Sequence, residues 1–387
     1  MIVHIDHFDC SCGNQHYPIE IEKIHIGNNT LDHIITYIME KGFKNAVIVS
    51  DDITSSVIGK KLSIEIREKT HFESKHVIIE PNDLGDVVAD ERSLIQLMIE
   101  SPSETDIFIA AGAGTIHDIT RFVSFKMGKP FLSVPTAPSV DGYTSMGAPL
   151  IVKEKKITFQ THAPIAMFAD LKILMEAPTR MIAAGFGDIL GKATSLADWK
   201  FDHLMTEKPF CPTAYDLTKK ALDSCILNVD LIATKDEDGI KTLMEALVHS
   251  GLAMLIIGQS FPASGAEHHV SHYWEMDFIQ KHKPQKLHGE KVAVACGLVA
   301  TLYKSTFKDR INETDLVDKK DKVFQIIDEI PDHTFLKSLV RKVGGETSPS
   351  SLGISEGLVN ASLKEAHLIR DRLTMLAFYN KYFRHNE

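Results

Sequence analysis

The sequence has 387 residues, of which 44% are hydrophobic and 24% charged, and its formal net charge is -10. A chain of this length exceeds one ordinary hydrophobic core, so we expect two domains with a cleft between them. The acidic balance disfavours general binding to nucleic acid or to an anionic membrane, although a local basic pocket could still bind a small phosphorylated molecule.

The N-terminal region contains a close cysteine pair, Cys10 and Cys12, among five cysteines in the chain. The other three are scattered, which does not fit a secreted disulfide framework. His7 and His16 are near enough in sequence to join a metal site, but two thiols one residue apart with no second pair form a weak zinc pattern. We find no signal-peptide pattern and no segment that approaches the length of a bilayer span, so we expect a cytoplasmic protein without membrane insertion.

Short apolar runs alternate with amphipathic helical segments in the first part of the chain. Predicted strands cover residues 45–50, 76–80, 106–110 and 130–134, with 167–174 as a candidate last strand and a projecting hairpin within 148–161. This alternation predicts an α/β domain with a parallel, Rossmann-like sheet, which binds ligands at the carboxyl ends of its strands. After Pro178 the hydrophobic period changes to that of helices. We therefore expect an α/β nucleotide-binding domain at 1–177, an all-α metal- and substrate-binding domain at 178–387, and an active site in the cleft between them.

A turn rich in small residues, A-A-G-A-G-T-I-H-D at 110–118, directly follows a predicted strand. A strand, such a turn and a helix start can hold a pyrophosphate on free backbone N–H groups. The turn departs from the G-x-G-x-x-G pattern because His117 stands where the third glycine would be, so a simple tight turn is the alternative. A second loop at 135–145, dense in hydroxyls, follows the next predicted strand and carries Asp141. Two polar loops at neighbouring strand ends together favour a nucleotide site.

Three histidines lie close together after Ser264. Ser264 and Glu267 fit a capping box, in which the serine caps a helix and the glutamate reaches back. In that helix His268 and His272 lie on one face, whereas His269 is turned about 100° away. We therefore interpret Glu267 as a cap and His269 as a packed or solvated bystander, and a purely structural histidine pair remains the alternative to a metal site.

Two more candidate ligands lie elsewhere in the predicted helical part. His288 stands at a predicted helix start, ahead of the apolar run V-A-V-A-C-G-L-V-A, and Asp188 lies in the apolar, glycine-rich segment 184–192. A carboxylate in such a segment is costly to bury without a partner, and a divalent cation is one such partner. One carboxylate and two imidazoles would form an open three-ligand site suited to Lewis-acid chemistry on a carbonyl or alcohol.

The ordered segments A-G-A-G-T-I-H-D, P-T-A-P-S-V-D-G-Y-T-S, G-F-G-D-I-L-G-K, S-G-A-E-H-H-V-S-H and L-H-G-E resemble the metal-dependent polyol and alcohol dehydrogenases. Within that family, which includes glycerol dehydrogenase, the sn-glycerol-1-phosphate dehydrogenases are the most similar. The resemblance covers 47–295, and the N-terminal C-S-C-G-N-Q-H is also similar, although no role follows for Cys10 or Cys12. It implies a dehydroquinate synthase-like fold, NAD with NADP as the alternative, one divalent metal ion (zinc, nickel or iron), and a homodimer acting on a small phosphorylated polyol or ketone.

The resemblance also implies roles by matching position. The metal would be bound by Asp188, His268 and His288, and the substrate by Asp141, Asp188 and His272, of which Asp188 and His272 would be catalytic. Asp51 would bind the adenosine ribose and favour NAD, since a carboxylate repels a 2'-phosphate. The remaining implied cofactor contacts lie in the two polar loops: Gly112, Ala113, Gly114, Thr115, Ile116, Thr136, Ala137, Pro138, Ser139 and Ser145. Ala113 departs from the family's usual glycine and adds a methyl group near the phosphates.

The reaction implied is the reversible reduction of dihydroxyacetone phosphate to sn-glycerol 1-phosphate by hydride transfer, with the metal as Lewis acid. A glycerol or other polyol dehydrogenase on the same scaffold is the first alternative, because no phosphate clamp stands out and we expect Lys192 and Lys291 to be solvated. A lyase similar to 3-dehydroquinate synthase is less favoured, since that family uses glutamate where Asp188 stands. A non-catalytic nucleotide-binding protein is the last alternative.

Overall fold

The computed structural model describes Cys10 and residues 12–70, 72–311 and 319–383, so His7 lies outside the described residues. Its eight strands are β1 (Lys23–Gly27), β2 (Asn45–Ser50), β3 (Glu73–Ile78), β4 (Ile107–Gly112), β5 (Phe131–Pro135), β6 (Gly147–Val152), β7 (Lys155–Gln160) and β8 (Ala166–Asp170). Six of them form one parallel sheet in the order β1-β8-β5-β4-β2-β3, and β6 and β7 form a separate antiparallel hairpin.

The parallel sheet and the hairpin confirm the architecture expected from sequence. Strands β2, β4 and β5 lie close to their predicted positions, whereas β3 begins at Glu73, earlier than predicted. Strand β1 was not predicted. The candidate strand at 167–174 ends at Asp170, because the Asp170 side chain accepts hydrogen bonds from the backbone N–H groups of Lys172 and Ile173 and so caps the next helix.

Helices cover both faces of the sheet and make up the rest of the chain. Those of the first part are α1 (Thr30–Lys41), α2 (Asp52–Thr54), α3 (Lys60–Lys69), α4 (Glu91–Glu100), α5 (Gly114–Lys126) and α6 (Leu171–Glu176). A π-helical turn at Ser55–Gly59 joins α2 to α3. Within the described residues the chain after α6 contains helices and no strand, which confirms the expected all-α part.

The helices of that second part follow one another from Thr179 onward. They are α7 (Thr179–Leu190), α8 (Lys192–Thr206), α9 (Pro212–Leu227), α10 (Val229–Ala233), α11 (Glu237–Ile257), α12 (Ala266–Gln280), α13 (His288–Leu302), α14 (Lys308–Arg310), α15 (Lys320–Asp328), α16 (His333–Lys342), α17 (Glu356–Glu365) and α18 (Met375–Tyr382).

Glycines allow α7 and α13 to approach each other closely. A Cβ atom added at Gly289 would lie 1.7 Å from the carbonyl oxygen of Ala184, and one added at Gly187 would lie 2.4 Å from the carbonyl oxygen of Gly289. Real side chains cannot approach backbone atoms so closely, so both positions need glycine. This contact brings together the end of α7, which carries Asp188, and the start of α13, which carries His288.

Helix α11 corrects one expectation from sequence. It is 21 residues long, and by length and composition alone it is apolar enough to cross a membrane. However, 67% of its most apolar stretch is buried inside the protein, as in the central helix of a soluble core. The expectation that no segment approaches a bilayer span was therefore wrong, although this helix is weak evidence for a membrane protein.

Candidate active site

Three predicted metal ligands from three different helices converge in the structure. Asp188 lies near the end of α7, His268 in the first turn of α12, and His288 at the first position of α13, where a helix start was predicted. Their ligand atoms all lie within 4.8 Å of one another, with His268 Nε2 3.6 Å from Asp188 Oδ1. The site is deeply set, because Asp188 is 0% and His268 5% exposed.

Glu267 holds the ring of His268 in place. Its Oε1 lies 2.7 Å from His268 Nδ1 and 2.6 Å from the backbone nitrogen of Gly265, while its Oε2 accepts a hydrogen bond of 2.7 Å from Thr194. Burial alone would raise the pKa of Glu267, but these hydrogen bonds and the charge of His268 hold it at about 2. A carboxylate cannot donate, so Nδ1 of His268 carries the proton and Nε2 faces Asp188.

The predicted capping box at the start of α12 was wrong. Gly265 is the residue at the helix N-cap, and the Ser264 hydroxyl accepts a hydrogen bond from Arg370 instead of capping the helix. Glu267 does reach back to the backbone nitrogen of Gly265, but the same carboxylate oxygen also bonds to His268. Its role is therefore to support a candidate ligand as well as the helix end.

Lys192 bridges two buried carboxyl groups, those of Asp141 and the candidate ligand Asp188. Its Nζ lies 3.0 Å from Asp188 Oδ1, 2.7 Å from Asp141 Oδ2 and 3.0 Å from the carbonyl oxygen of Ala263. Asp188 Oδ2 accepts a hydrogen bond from the backbone of Asp141, and Ser250 donates to Asp141 Oδ2. Lys192 is 0% exposed, so the expectation that it would be solvated was wrong. Its spacing of four residues from Asp188 was the signal that sequence reasoning missed.

The donor set fits a divalent metal ion. Burial alone would lower the pKa of His268, but hydrogen bonds to Asp188 and Glu267 outweigh burial and raise it, so the two carboxylates favour positive charge on the ring. His288 Nδ1 is buried and has no hydrogen-bond partner among the described residues, which leaves that ring with bonding capacity that the protein does not use. Two imidazoles and one carboxylate, with room for a further ligand, suit zinc, nickel or iron.

His272 lies one turn after His268 and forms part of a second polar cluster. Its Nδ1 is 3.1 Å from Glu275 Oε2, which also accepts a hydrogen bond of 2.8 Å from Lys156 of the β6–β7 hairpin. Lys291 lies 3.5 Å from Glu275 Oε1 and is 2% exposed, so it too is buried where solvation was expected. The predicted hairpin therefore folds back onto α12. Glu275 and Lys156 were missed because the hairpin contact is not visible in sequence.

His269 does not belong to either cluster. It is 0% exposed and does not line the cleft, and its two ring nitrogens have no hydrogen-bond partner among the described residues. Burial lowers its pKa to about 3, so the ring is neutral near pH 7. The helical phase that separates His268 and His272 from His269 was thus correctly predicted.

A cleft of about 860 Å³ contains both clusters and is lined by the α/β part as well as the helical part. Of the expected cofactor contacts, Ala113, Gly114, Thr115, Ser139 and Ser145 line it, as does Asp141. Helix α5 begins there, and its N-cap residue, Ala113, makes no side-chain cap. The first N–H groups of α5 can therefore bind an anion such as a pyrophosphate, which supports the fit of a dinucleotide.

The other expected cofactor residues are not among those that line the cleft. The buried ones belong to the end of β4, the first turn of α5 and the loop that follows β5: Gly112, Ile116, Thr136, Ala137 and Pro138. The Pro138 carbonyl packs against Gly185, where a Cβ atom would lie only 1.8 Å from the oxygen. Asp51 follows β2 and caps α2, accepting a hydrogen bond of 2.7 Å from the backbone nitrogen of Thr54, and it is not among the residues that line the cleft.

Comparisons with known proteins show the family to which the chain belongs. A family model described as iron-containing alcohol dehydrogenase matches residues 25–178. The glycerol-1-phosphate dehydrogenase of Geobacillus stearothermophilus, named as an NAD(P)+ enzyme, is 44% identical over 96% of this chain and 95% of its own length. The chain belongs to the glycerol-1-phosphate dehydrogenase family. The member from Bacillus subtilis (strain 168) is 41% identical over 96% of this chain and 94% of its own.

A solved structure supports the fold expected for this family. Maleylacetate reductase from Rhizobium sp. strain MTP-10005 superposes with a TM-score of 0.68 at 13% identity, covering 95% of this chain and 97% of that one. At this identity the likeness concerns the fold alone. A parallel sheet followed by a helical part is thus an architecture that this chain shares with a reductase of a different name.

Proposed function

We propose that this protein interconverts dihydroxyacetone phosphate and sn-glycerol 1-phosphate, using NAD(P) and one divalent metal ion. The observation that carries the proposal is the convergence of Asp188, His268 and His288 beside a cleft that the start of α5 also lines. The names of the family members from Geobacillus stearothermophilus and Bacillus subtilis support the same reaction.

The protein's own contribution is to hold the reacting groups in a fixed arrangement. A metal bound by Asp188, His268 and His288 would polarise the substrate oxygen, and the nicotinamide would supply or accept the hydride. Lys192 and Glu267 keep Asp188 and the His268 ring oriented before the substrate arrives. Such preorganisation avoids reorganising the site during the reaction.

We propose that His272 exchanges the proton of the substrate oxygen through Nε2. Burial would raise the pKa of Glu275, but Lys156 and Lys291 hold it well below its ordinary value, so Glu275 is a carboxylate. Burial and the charge of Lys156 also keep the pKa of His272 well below its ordinary value, so the ring is neutral. Its Nδ1 therefore carries the hydrogen that faces Glu275, and Nε2 is the acceptor available to an alcohol.

We propose that Arg370 binds the substrate phosphate. It lines the cleft, and its Nη1 donates to the hydroxyls of Ser260 (3.2 Å) and Ser264 (3.4 Å). Among the described residues no carboxylate lies within salt-bridge distance of Arg370, so the guanidinium has unused capacity for an anion. Arg370→Met should raise KM for dihydroxyacetone phosphate about 10-fold or more, the loss expected for a charge-assisted hydrogen bond. An unchanged KM would place the phosphate elsewhere.

The cofactor would lie along the start of α5 and the loop after β5, with Asp51 beside the adenosine ribose. Asp51 follows β2, the strand next to β4, and this position at the carboxyl end of a neighbouring strand supports the proposal. We keep NAD as the preferred cofactor on this ground.

We also propose a division into domains at 1–177 and 178–387, a homodimer, and a cytoplasmic location. Light scattering on the purified protein tests the dimer.

The experiment that tests the reaction follows cofactor oxidation by the full-length, metal-loaded protein. Dihydroxyacetone phosphate should support oxidation of NADH more efficiently than of NADPH, and the product should be inert to an enzyme specific for sn-glycerol 3-phosphate. The matched control is the unphosphorylated pair, dihydroxyacetone and glycerol. Turnover of that pair with none of the phosphorylated ketone would overturn the substrate assignment in favour of a polyol dehydrogenase.

A further inference from the structure

A second group of potential metal ligands lies outside the cleft, at the N-terminal end of the described chain. Cys10, Cys12, His16 and Cys211 bring three sulfur atoms and one imidazole nitrogen within 4.8 Å of one another. Cys211 is 201 residues away from Cys10 in sequence, so only the fold shows that it completes the group. None of the three thiols forms a disulfide.

Three of the six distances among these atoms are close to the edges of a tetrahedron around zinc. With zinc–sulfur bonds of about 2.3 Å and zinc–nitrogen bonds of about 2.0 Å, tetrahedral angles put two sulfurs about 3.8 Å apart and a sulfur and a nitrogen about 3.5 Å apart. The sulfurs of Cys10 and Cys211 are 3.5 Å apart, and His16 Nε2 lies 3.4 Å from the sulfur of Cys12 and 3.3 Å from that of Cys211. Each of these three distances is slightly shorter than the zinc value, and the other three are at most 4.8 Å.

Each sulfur also accepts a hydrogen bond from outside the group. The hydroxyl of Thr213 donates to Cys10 (3.3 Å), and the side-chain amide of Asn14 donates to Cys12 (3.2 Å). Cys211 is the N-cap residue of α9 and accepts from the backbone nitrogen of Ala214 at 3.4 Å. Donors of this kind hold sulfur ligands in the orientation that a metal requires.

We infer that Cys10, Cys12, His16 and Cys211 form a closed, four-ligand zinc site that is separate from the catalytic metal site. Three thiolates and one imidazole are a donor set typical of structural zinc, and a complete set leaves no position for a substrate. The site contains sulfur, whereas the group formed by Asp188, His268 and His288 contains none. This inference does not depend on the reaction proposed above.

The zinc would anchor the N-terminal segment to the helical part of the protein. Between two of the ligands, the side-chain amide of Asn14 donates to the carbonyl oxygen of Phe210 (3.0 Å). Just after His16, the backbone N–H of Tyr17 donates to the carbonyl oxygen of Ile256 (2.9 Å). The Tyr17 ring packs against Gly258, which lines the cleft, and the chain then enters the α/β part as β1. The segment thus runs from the helical part of the protein to the α/β part. Zinc would fix it where it contacts the helical part.

The test distinguishes the two metal sites by their ligand chemistry. The full-length protein is stripped of metal and titrated with cobalt(II), and its zinc content is measured by elemental analysis before stripping. Cobalt bound to thiolates gives strong sulfur-to-metal charge-transfer absorption in the near ultraviolet, which an aspartate and two histidines cannot produce. We expect this absorption in the wild type and, undiminished, in Asp188→Asn. Because that substitution impairs only the cleft site, the variant should also retain one zinc per chain.

Cysteine variants give the second arm. Cys12→Ser and Cys211→Ser should each lose the charge-transfer absorption and one equivalent of zinc, with a lower unfolding temperature. The matched control is Cys225→Ser, near the far end of the helix that Cys211 caps. This variant should keep the charge-transfer absorption and the zinc. Absence of the charge-transfer band in the wild type, zinc content unchanged in Cys211→Ser, or a Cys10–Cys211 disulfide in the purified protein would each overturn the inference. The wild-type and Asp188→Asn spectra decide the matter even if a cysteine variant fails to fold.

Discussion

The carboxylate of Glu267 offers a sharp test of how the cleft site holds its metal. Glu267→Ala removes hydrogen bonds to His268 (2.7 Å), Thr194 (2.7 Å) and Gly265 (2.6 Å) at once. Without the first of these, the His268 ring can rotate and its Nδ1 proton loses its partner. Removing such a supporting carboxylate typically weakens metal binding 10- to 100-fold, which corresponds to about 1.4–2.7 kcal/mol. Glu267→Gln keeps an acceptor near His268, so we expect a loss at the lower end of that range.

The assay is competition for the metal between the protein and a chelator, with steady-state kinetics at saturating metal as the second readout. Because Glu267 acts through His268, kcat should recover largely once the site is filled, whereas the affinity for metal stays low. Thr194→Val is the matched control, since it removes the donor to the other carboxylate oxygen and leaves the His268 contact in place. Wild-type metal affinity in Glu267→Ala would refute the reasoning.

Other substitutions separate chemistry from packing. His272→Gln should keep the metal but lower kcat about 10²- to 10⁴-fold, the usual contribution of a general acid or base, and unchanged turnover would remove His272 from the proton path. Gly289→Ala should destabilise the fold by about 1–3 kcal/mol in denaturant unfolding, because the new methyl group would lie 1.7 Å from the Ala184 carbonyl oxygen. Gly297→Ala on the same helix has nothing within 4 Å and should be neutral or stabilising by up to about 1 kcal/mol; equal losses for both would contradict the packing argument.

The sheet was largely predictable because its central strands are continuous apolar runs. Strand β2 has the sequence N-A-V-I-V-S and is buried from its second residue, and β4 and β5 are buried throughout. The edge strand β1, K-I-H-I-G, alternates between buried and partly exposed residues, so its local pattern is short and ambiguous. Strand order depends on contacts between distant segments, such as the pairing of β1 with β8, which no local pattern contains.

The site was predictable where a motif fixes the helical phase and not where burial depends on a distant partner. The spacing of His268 and His272 is a property of one helix, and the structure places both rings in the cleft. Lys192 was expected in solvent because a lone lysine is costly to bury, and only the fold supplies Asp141 and Asp188 around it. Cys211 was likewise unremarkable in sequence until the fold placed its sulfur beside those of the N-terminal segment.

The most direct test of the central claim is metal-dependent reduction of dihydroxyacetone phosphate by chelator-stripped protein. The wild type should be inactive after stripping and should regain NADH oxidation as divalent metal is returned, whereas Asp188→Asn should stay inactive because one of the three cleft ligands is impaired. Full reduction of dihydroxyacetone phosphate by stripped wild-type protein, or by Asp188→Asn, would contradict the account.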